Sequence, residues 1–297
     1  VTAREAAAES RAGWAFVTPA LLLIAIFFAI PVLGAFVLSF TDFDIYSVGD
    51  FSSTRFIGLA NYRDLATAPL FWTATKNTLF FVVIGGPLSA AVSLAAALLV
   101  NAKLIRFRAF FRSAFFAPWV TTLVAMALVW RYIYHPQYGL LNAALGVIGI
   151  GPIDWLGTTT WAMPSLILLS VWKNFGYNML VFLAGLQSIP DELYEAAALD
   201  GAGPWRRFRH VTLPMLGPTF VFVGVVTMIA SFQVFSEPYV MTQGGPLKST
   251  LTLVLFMYEQ GFRWWRLGYS AAIAVVLFCL TLVGTLVQFR VQARAAR

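Results

Sequence analysis

Charge is what this chain has least of. Only 11% of its 297 residues are charged, where ordinary soluble domains carry about a quarter. Cysteine occurs once, at Cys279. A single cysteine builds neither a disulfide framework nor a thiolate metal site, and inside an apolar run it is expected to be a small buried hydrophobe. The two histidines, His135 and His210, stand apart in separate loops, so no metal site is expected. No G-x-x-x-x-G-K-S/T occurs, and no Gly-Lys dipeptide at all, which excludes a phosphate-cradling loop for ATP. Nothing pairs a nucleophile with a base. The chain is therefore not expected to be an enzyme, and no cofactor is expected within it.

What fills the place of charge is hydrocarbon. Hydrophobic residues make up 60% of the chain, and the mean hydropathy is +0.78. Residues 12–41, 78–100, 113–130, 211–236 and 267–289 contain no Asp, Glu, Lys or Arg. About 20 largely apolar residues carry a helix across the hydrocarbon core, so each is a spanning candidate. A sixth run, about 162–187, is interrupted by the single charge of Lys173. No run has a polar face wide enough for an interfacial helix. The fold expected is an all-α membrane protein with six transmembrane helices. The first run, 30 uncharged residues long, exceeds the apolar region of about 7–15 residues in a signal peptide and is read as a spanning helix.

The net charge of +7 then finds its explanation in orientation rather than in nucleic acid. With the N-terminus inside, Arg4, Arg11, Lys103, Arg106, Arg108, Arg112, Arg206, Arg207, Arg209, Arg290, Arg294 and Arg297 fall on the cytoplasmic side. Arg55, Arg63, Lys76, Arg131, Lys248, Arg263 and Arg266 fall outside. Twelve against seven follows the positive-inside bias and places both termini in the cytoplasm.

Between the runs, residues 41–53 read as an external loop, and residues 56–65 as a short element lying along the membrane surface. Gly85-Gly86-Pro87 marks a local break in the second helix, and 101–108 a short basic turn. Residues 149–154 and Gly244-Gly245-Pro246 mark further loops, the latter inside an outer loop 237–266. Ser188 with Asp191 reads as a capping box opening a short helix that runs toward Asp200. Gly201 and Gly203 break that helix. Pro204 suits the first turn of a second short helix, which Pro214 is expected to close. Two short helices joined at a glycine bend would form a knuckle on the cytoplasmic face. Its bland alternative is an amphipathic loop held at the headgroups by Arg206, Arg207 and Arg209.

The ordered set Glu195, Ala196, Ala197, Asp200, Gly201, Ala202, Phe208, Leu213 and Pro214 resembles the EAA signature of permease subunits in bacterial ABC importers. The region from about 71 to 290 resembles the transmembrane domain of type I importers. Residues 56–65, Pro118-Trp119, Trp172-Lys173-Asn174, Ile189-Pro190 and Gly244-Gly245-Pro246 are similar to the branch serving oligosaccharides and polyols, which includes maltose and glycerol-3-phosphate permeases. The resemblance divides the chain into 1–70 (tail, first spanning helix and external loop), 71–290 (the importer domain, with coupling helices at 188–213) and a cytoplasmic tail at 291–297. It implies a location in the bacterial inner membrane and a solute imported with ATP hydrolysed by a separate subunit, which binds the ATP and Mg. Its implied partners are a second homologous permease, an ATP-binding subunit dimer, an extracytoplasmic solute-binding protein and the lipid bilayer, with no nucleic acid. Relative to the maltose system's larger permease, neither extra N-terminal helices nor a large inserted outer domain is expected.

The same resemblance places solute contacts at Trp119, Leu123, Asn174, Tyr177, Thr227 and Ser231. Aromatics beside neutral hydrogen-bonding groups suit a sugar ring. Lys173, deep in its helix, costs about 2.5–3.5 kcal/mol at a bilayer centre and must face protein or water. It is either a pathway residue or a structural partner of a carbonyl or of Glu237. With no arginine among these positions, a neutral sugar is favoured and a glycerol-phosphate importer is the alternative. An ion-driven secondary transporter would call for paired intramembrane acids, which the runs lack. A purely scaffolding subunit would lack the polar pattern Asn174, Asn178, Thr227, Ser231 and Gln233.

Overall fold

A computed structural model describes residues 3–102 and 106–295. Lys103 of the basic turn and Arg297 of the tail lie outside the described residues. The chain forms two compact units, one from residues 1–67 and 257–276 and the other from 68–256 and 277–297. Among the described residues there is no named strand, only an isolated bridge between Thr41 and Phe56.

Four unbroken helices are long and apolar enough to cross a membrane: α1 (Arg11–Leu38), α3 (Pro69–Asn101), α7 (Thr159–Gln187) and α12 (Leu267–Ala295). Two more spans are bent pairs. α4 (Arg108–Val120) meets α5 (Leu123–Ile133) at 100°, and α9 (Pro204–Met215) meets α10 (Gly217–Phe232) at 64°. Shorter helices are α2 (Ala60–Thr67), α6 (Leu140–Val147), α8 (Asp191–Leu199) and α11 (Leu253–Tyr258). The total reaches the expected six spans only when each bent pair is taken as one.

Three prolines inside these spans share one solution. The segments Ala25–Ala29, Phe81–Gly85 and Phe208–Thr212 are π-helical. Pro31, Pro87 and Pro214 each follow such a segment by two residues. Proline lacks an N–H and its ring collides with the carbonyl four residues back. That carbonyl lies inside the widened π turn in all three cases, so the helix continues. Hence the break expected at Gly85-Gly86-Pro87 is a widening within a continuous α3. Pro214 likewise does not close the second knuckle helix, which runs on to Met215.

Pro118 has no such relief. The run read as one helix at 113–130 is broken, with Thr121 and Thr122 extended between α4 and α5.

In the first unit, Asn61 donates to the carbonyls of Ser39 and Thr41, both at 2.9 Å. Tyr62 shares a 2.7 Å hydrogen bond with Ser39. The surface element expected at 56–65 is thus the bridge residue Phe56 followed by α2. Cys279 is exposed on α12 rather than buried, and its neighbours Phe278 and Leu282 are exposed as well. An all-round apolar helix needs only one face for its own chain.

In the second unit, α7 runs through the centre. Its residues Met163, Leu166, Ile167, Leu169 and Val171 enter one apolar cluster with Phe81, Ala127 and Tyr134. Met179, Phe182, Leu183 and Leu186 enter another with Ala96, Ala97, Val100 and Leu216. Gly176 lets α4 lie against α7, because a Cβ there would collide with the carbonyl of Phe115. The part of the expected outer loop that precedes residue 257 is folded inward. Asn77 donates to the carbonyls of Lys248 (2.9 Å) and Leu251 (3.0 Å), and Thr78 accepts from the amide of Leu253. Leu251 and Leu253 are fully buried.

Candidate solute cavity and coupling surface

Between the two apolar clusters, α7 turns polar. Ser170, Asn174, Tyr177 and Asn178 follow at spacings of four, seven and eight, which aligns them on one helix face. That face borders a cavity of about 240 Å³. Ser89 and Phe81 enter from α3, and Thr227 and Ser231 from α10. Trp119 and Leu123 enter from either side of the α4–α5 break, and Gln233, Ser236 and Glu237 from the chain beyond α10. Trp119, Leu123, Asn174, Tyr177, Thr227 and Ser231, expected as solute contacts, all lie on this one wall.

The wall is held by its own polar groups. The Asn178 amide donates to Thr227 at 3.1 Å and to Ser89 at 3.4 Å, joining α7 to α10 and α3. The Asn174 amide donates to the Ser170 carbonyl at 2.8 Å and hydroxyl at 3.2 Å. Tyr177 stacks on Trp119 with centroids 4.8 Å apart and planes 23° from parallel. Ser170 and Glu237 both line the same cavity. Buried polar groups satisfied this way fix their own positions and avoid the desolvation cost of an unpaired group.

Lys173 is not on that wall. Its ammonium donates to the carbonyls of Pro118 (3.2 Å), Trp119 (3.2 Å) and Thr121 (2.9 Å). An ammonium has three protons, and all three go to carbonyls at the α4–α5 break, of which that of Pro118 also accepts from the amide and hydroxyl of Thr121. The charge also sits 5.8 Å from the Trp119 ring centroid, within cation–π range.

The second region is the knuckle of α8 and α9. α8 starts at Asp191 with Pro190 in the N-cap position and no side-chain cap. The capping box expected at Ser188 is absent: Ser188 ends α7 and its hydroxyl turns back to the Gly185 carbonyl at 2.8 Å. Pro190 holds the extended conformation of an N-cap by itself. At the other end, Ala202 donates to the Ala197 carbonyl (2.9 Å) and Gly201 to that of Ala198 (3.0 Å). This pair of bonds is a Schellman motif, and it requires the left-handed φ of +73° that Gly201 adopts. Gly203 then caps α9 and Pro204 enters its first turn.

Two bonds brace the knuckle: Tyr194 to Thr212 at 3.0 Å and Arg207 to the Ala202 carbonyl at 2.7 Å. Of the signature residues, Glu195, Ala196, Asp200, Gly201 and Pro214 are exposed, while Ala197, Ala202, Phe208 and Leu213 are half-buried. Leu199 is 90% exposed and Trp205 69%. These two apolar tips, with the Tyr194–Thr212 brace, escaped the sequence reading. An exposed leucine at the end of a charged helix was the available signal.

The family model for the inner membrane component of binding-protein-dependent transport systems matches residues 6–297. The chain is 37% identical to the arabinooligosaccharides transport system permease protein AraP of Bacillus subtilis (strain 168), over 95% of this chain and 88% of that one. It is 36% identical to the lactose transport system permease protein LacF of Rhizobium radiobacter, over 93% and 92%. In fold it matches a chain of a bacterial ABC transporter involved in the import of the acidic polysaccharide alginate. The TM-score there is 0.81 at 22% identity, with 99% of each chain covered.

Proposed function

We propose that this chain, which belongs to the family of inner membrane components of binding-protein-dependent transport systems, is the permease subunit of an importer for a sugar, an oligosaccharide or related polyol. The observation that carries the reading is the convergence of Trp119, Leu123, Asn174, Tyr177, Thr227 and Ser231 on one cavity. An aromatic stack offers an apolar surface to a sugar ring, and the amides and hydroxyls around it reach ring hydroxyls. The oligosaccharide and lactose permeases among its relatives support the same class.

The energy comes from elsewhere in the assembly. The sequence carries no phosphate-cradling loop, so ATP and Mg are held by an ATP-binding subunit dimer that docks on the α8–α9 knuckle. Leu199 and Trp205 provide apolar anchors there and Glu195 an acceptor for a donor on the partner. A second homologous permease completes the membrane pathway, and an extracytoplasmic binding protein delivers the solute. Both termini and the knuckle face the cytoplasm, as the distribution of basic residues favours.

The test is uptake by the reconstituted assembly in proteoliposomes. Tritiated maltotriose should accumulate only with ATP and binding protein present. Uptake confined to glycerol-3-phosphate would replace the sugar reading with the glycerol-phosphate alternative, and uptake driven by an ion gradient without ATP would overturn the importer reading. Orientation is checked in a Cys279→Ser background. Ser53→Cys and Leu247→Cys should react with an impermeant thiol reagent outside intact cells, and Ser188→Cys should not. Leu247 is 91% exposed, which leaves a thiol at that position open to the reagent.

A further inference from the structure

Trp119 stands in the last turn of α4, just before the chain leaves the helix at Thr121 and Thr122, which are extended. An indole at such a break has no local reason to hold one plane. Two residues of α7, four apart and therefore on one helix face, hold it from outside. Tyr177 takes the ring, stacking on it with centroids 4.8 Å apart. Lys173 takes the backbone, its ammonium donating to the carbonyls of Pro118 (3.2 Å), Trp119 (3.2 Å) and Thr121 (2.9 Å). Between them in sequence, Gly176 lets the Phe115 carbonyl lie against α7, so α4 is pinned at two successive points. Yet Trp119 stays open to the cavity, 40% exposed against 8% for Lys173.

The three contacts also define what the lysine can do. Three convergent acceptors call for three protons, where a neutral amine would turn its lone pair toward one of the carbonyls. With every proton given to the backbone, the ammonium has none for a solute.

We propose that Lys173 is a positioning residue that acts on the solute only through Trp119, by fixing the α4–α5 turn so that the indole lies against Tyr177 and Leu123 enters the cavity. The proposal rests on the carbohydrate reading above and deepens it. A sugar ring gains most from an aromatic surface that is already in place, because ordering that surface during binding costs affinity.

The experiment uses the full-length chain co-purified with its membrane partners in nanodiscs and measures equilibrium binding of maltotriose. Trp119→Ala should weaken binding about tenfold, the upper end of one aromatic contact. Lys173→Met should weaken it about three- to tenfold, within the coupling range of residues in contact. The double variant should bind no more weakly than Trp119→Ala alone, since nothing then remains for the lysine to position. As a control, Lys173→Met combined with Ser231→Ala on α10 should multiply the two single losses to within about twofold. Losses that multiply in the Trp119 pair would overturn the proposal, because the lysine would not be acting through the ring. Losses that fail to multiply in both pairs would show a general loosening of the cavity and overturn it as well. If Lys173→Met does not assemble, Lys173→Gln, which keeps two donors, carries the same cycle. Failure of wild type to bind maltotriose would sink the carbohydrate reading, and the positioning of Trp119 for a sugar ring with it. Wild-type binding with multiplying losses would sink the role of Lys173 alone.

Discussion

The cavity and the knuckle sit on neighbouring stretches of one chain and treat their side chains in opposite ways. In the cavity the polar groups are turned on one another: Asn178 on Ser89 and Thr227, and Asn174 on Ser170. In the knuckle the polar bonds brace the backbone from inside, Tyr194 to Thr212 and Arg207 to Ala202, and the apolar tips Leu199 and Trp205 are left in the open. A buried polar wall can exchange some of its bonds for those of a small hydroxylated solute. An exposed leucine and tryptophan on a rigid bend gain only when a protein surface covers them. The contrast separates recognition from coupling, and it can be broken from either side.

The largest effect is expected at Gly201. Its φ of +73° costs a branched residue about 1–2 kcal/mol, and losing the Schellman bonds would splay α8 from α9. Nothing lies within 4 Å of a Cβ built there, so the penalty is conformational and not steric. Gly201→Val should therefore insert normally, lose the ATP-binding partner on co-purification and abolish uptake, while maltotriose binding to the membrane part persists. Loss of binding as well would show that the two regions are not separable.

Lys173→Met should come next. It removes a donor from the carbonyls of Trp119 and Thr121, and one of several from that of Pro118, a loss on the order of 1–3 kcal/mol. Thermal unfolding should fall by several degrees, with the ratio of neutral to anionic saccharide binding held near the wild-type value. A change in that ratio would place Lys173 in recognition.

The lysine also illustrates what was legible in the sequence. Its burden was visible, since a lone charge in the middle of a spanning helix has to be paired. Its partner was not, because the carbonyls it serves are 52–55 residues away and exist only where α4 breaks. Uncharged runs mark six spans well, but hydropathy is blind to backbone direction, so the 100° turn at Thr121–Thr122 looked like more helix. The π segments were hidden for the same reason, and Pro214 looked like an end where it is a widening. Residues 237–256 looked like outer loop because their anchors, Asn77 and Thr78, lie more than 170 residues earlier. The solute-facing positions were reached through resemblance. Glu237 was seen as an acid at a helix end and as a candidate partner of Lys173, its place on the wall depending on a fold-back that local patterns do not reveal.

A reciprocal pair of variants sharpens the contrast with smaller effects. Trp205→Ser removes an exposed ring and should weaken attachment of the ATP-binding partner about tenfold, the scale of a single interface anchor, with maltotriose binding unchanged. Tyr177→Ala removes the ring stacked on Trp119 and should weaken maltotriose binding by about three- to tenfold, the scale of one aromatic contact at roughly 0.5–1.5 kcal/mol, with partner attachment unchanged. Either variant moving both measurements would erase the division.

The smallest effect belongs to a pair outside both regions and serves as their control. Asp42 accepts from the Arg55 amide at 2.7 Å and from its guanidinium at 2.9 Å. The amide bond foremost, and then the guanidinium, hold its carboxyl below the usual value of 3.8. A carboxyl whose folded pKa is depressed contributes stability that is fully present above 3.8 and is lost as pH falls through the lower folded value. The Arg55 side chain is 83% exposed, so screening by solvent limits the contribution to about 0.2–1 kcal/mol at neutral pH. Asp42→Asn should therefore melt slightly below wild type at pH 7, and the two curves should converge as the pH is taken below 3.8. Saccharide binding and partner attachment should be the same in both proteins. A gap that widens on acidification would reverse the sign of the linkage. A change in either functional measurement would mean that this surface pair reaches the cavity or the knuckle, leaving it no use as a control for their separation.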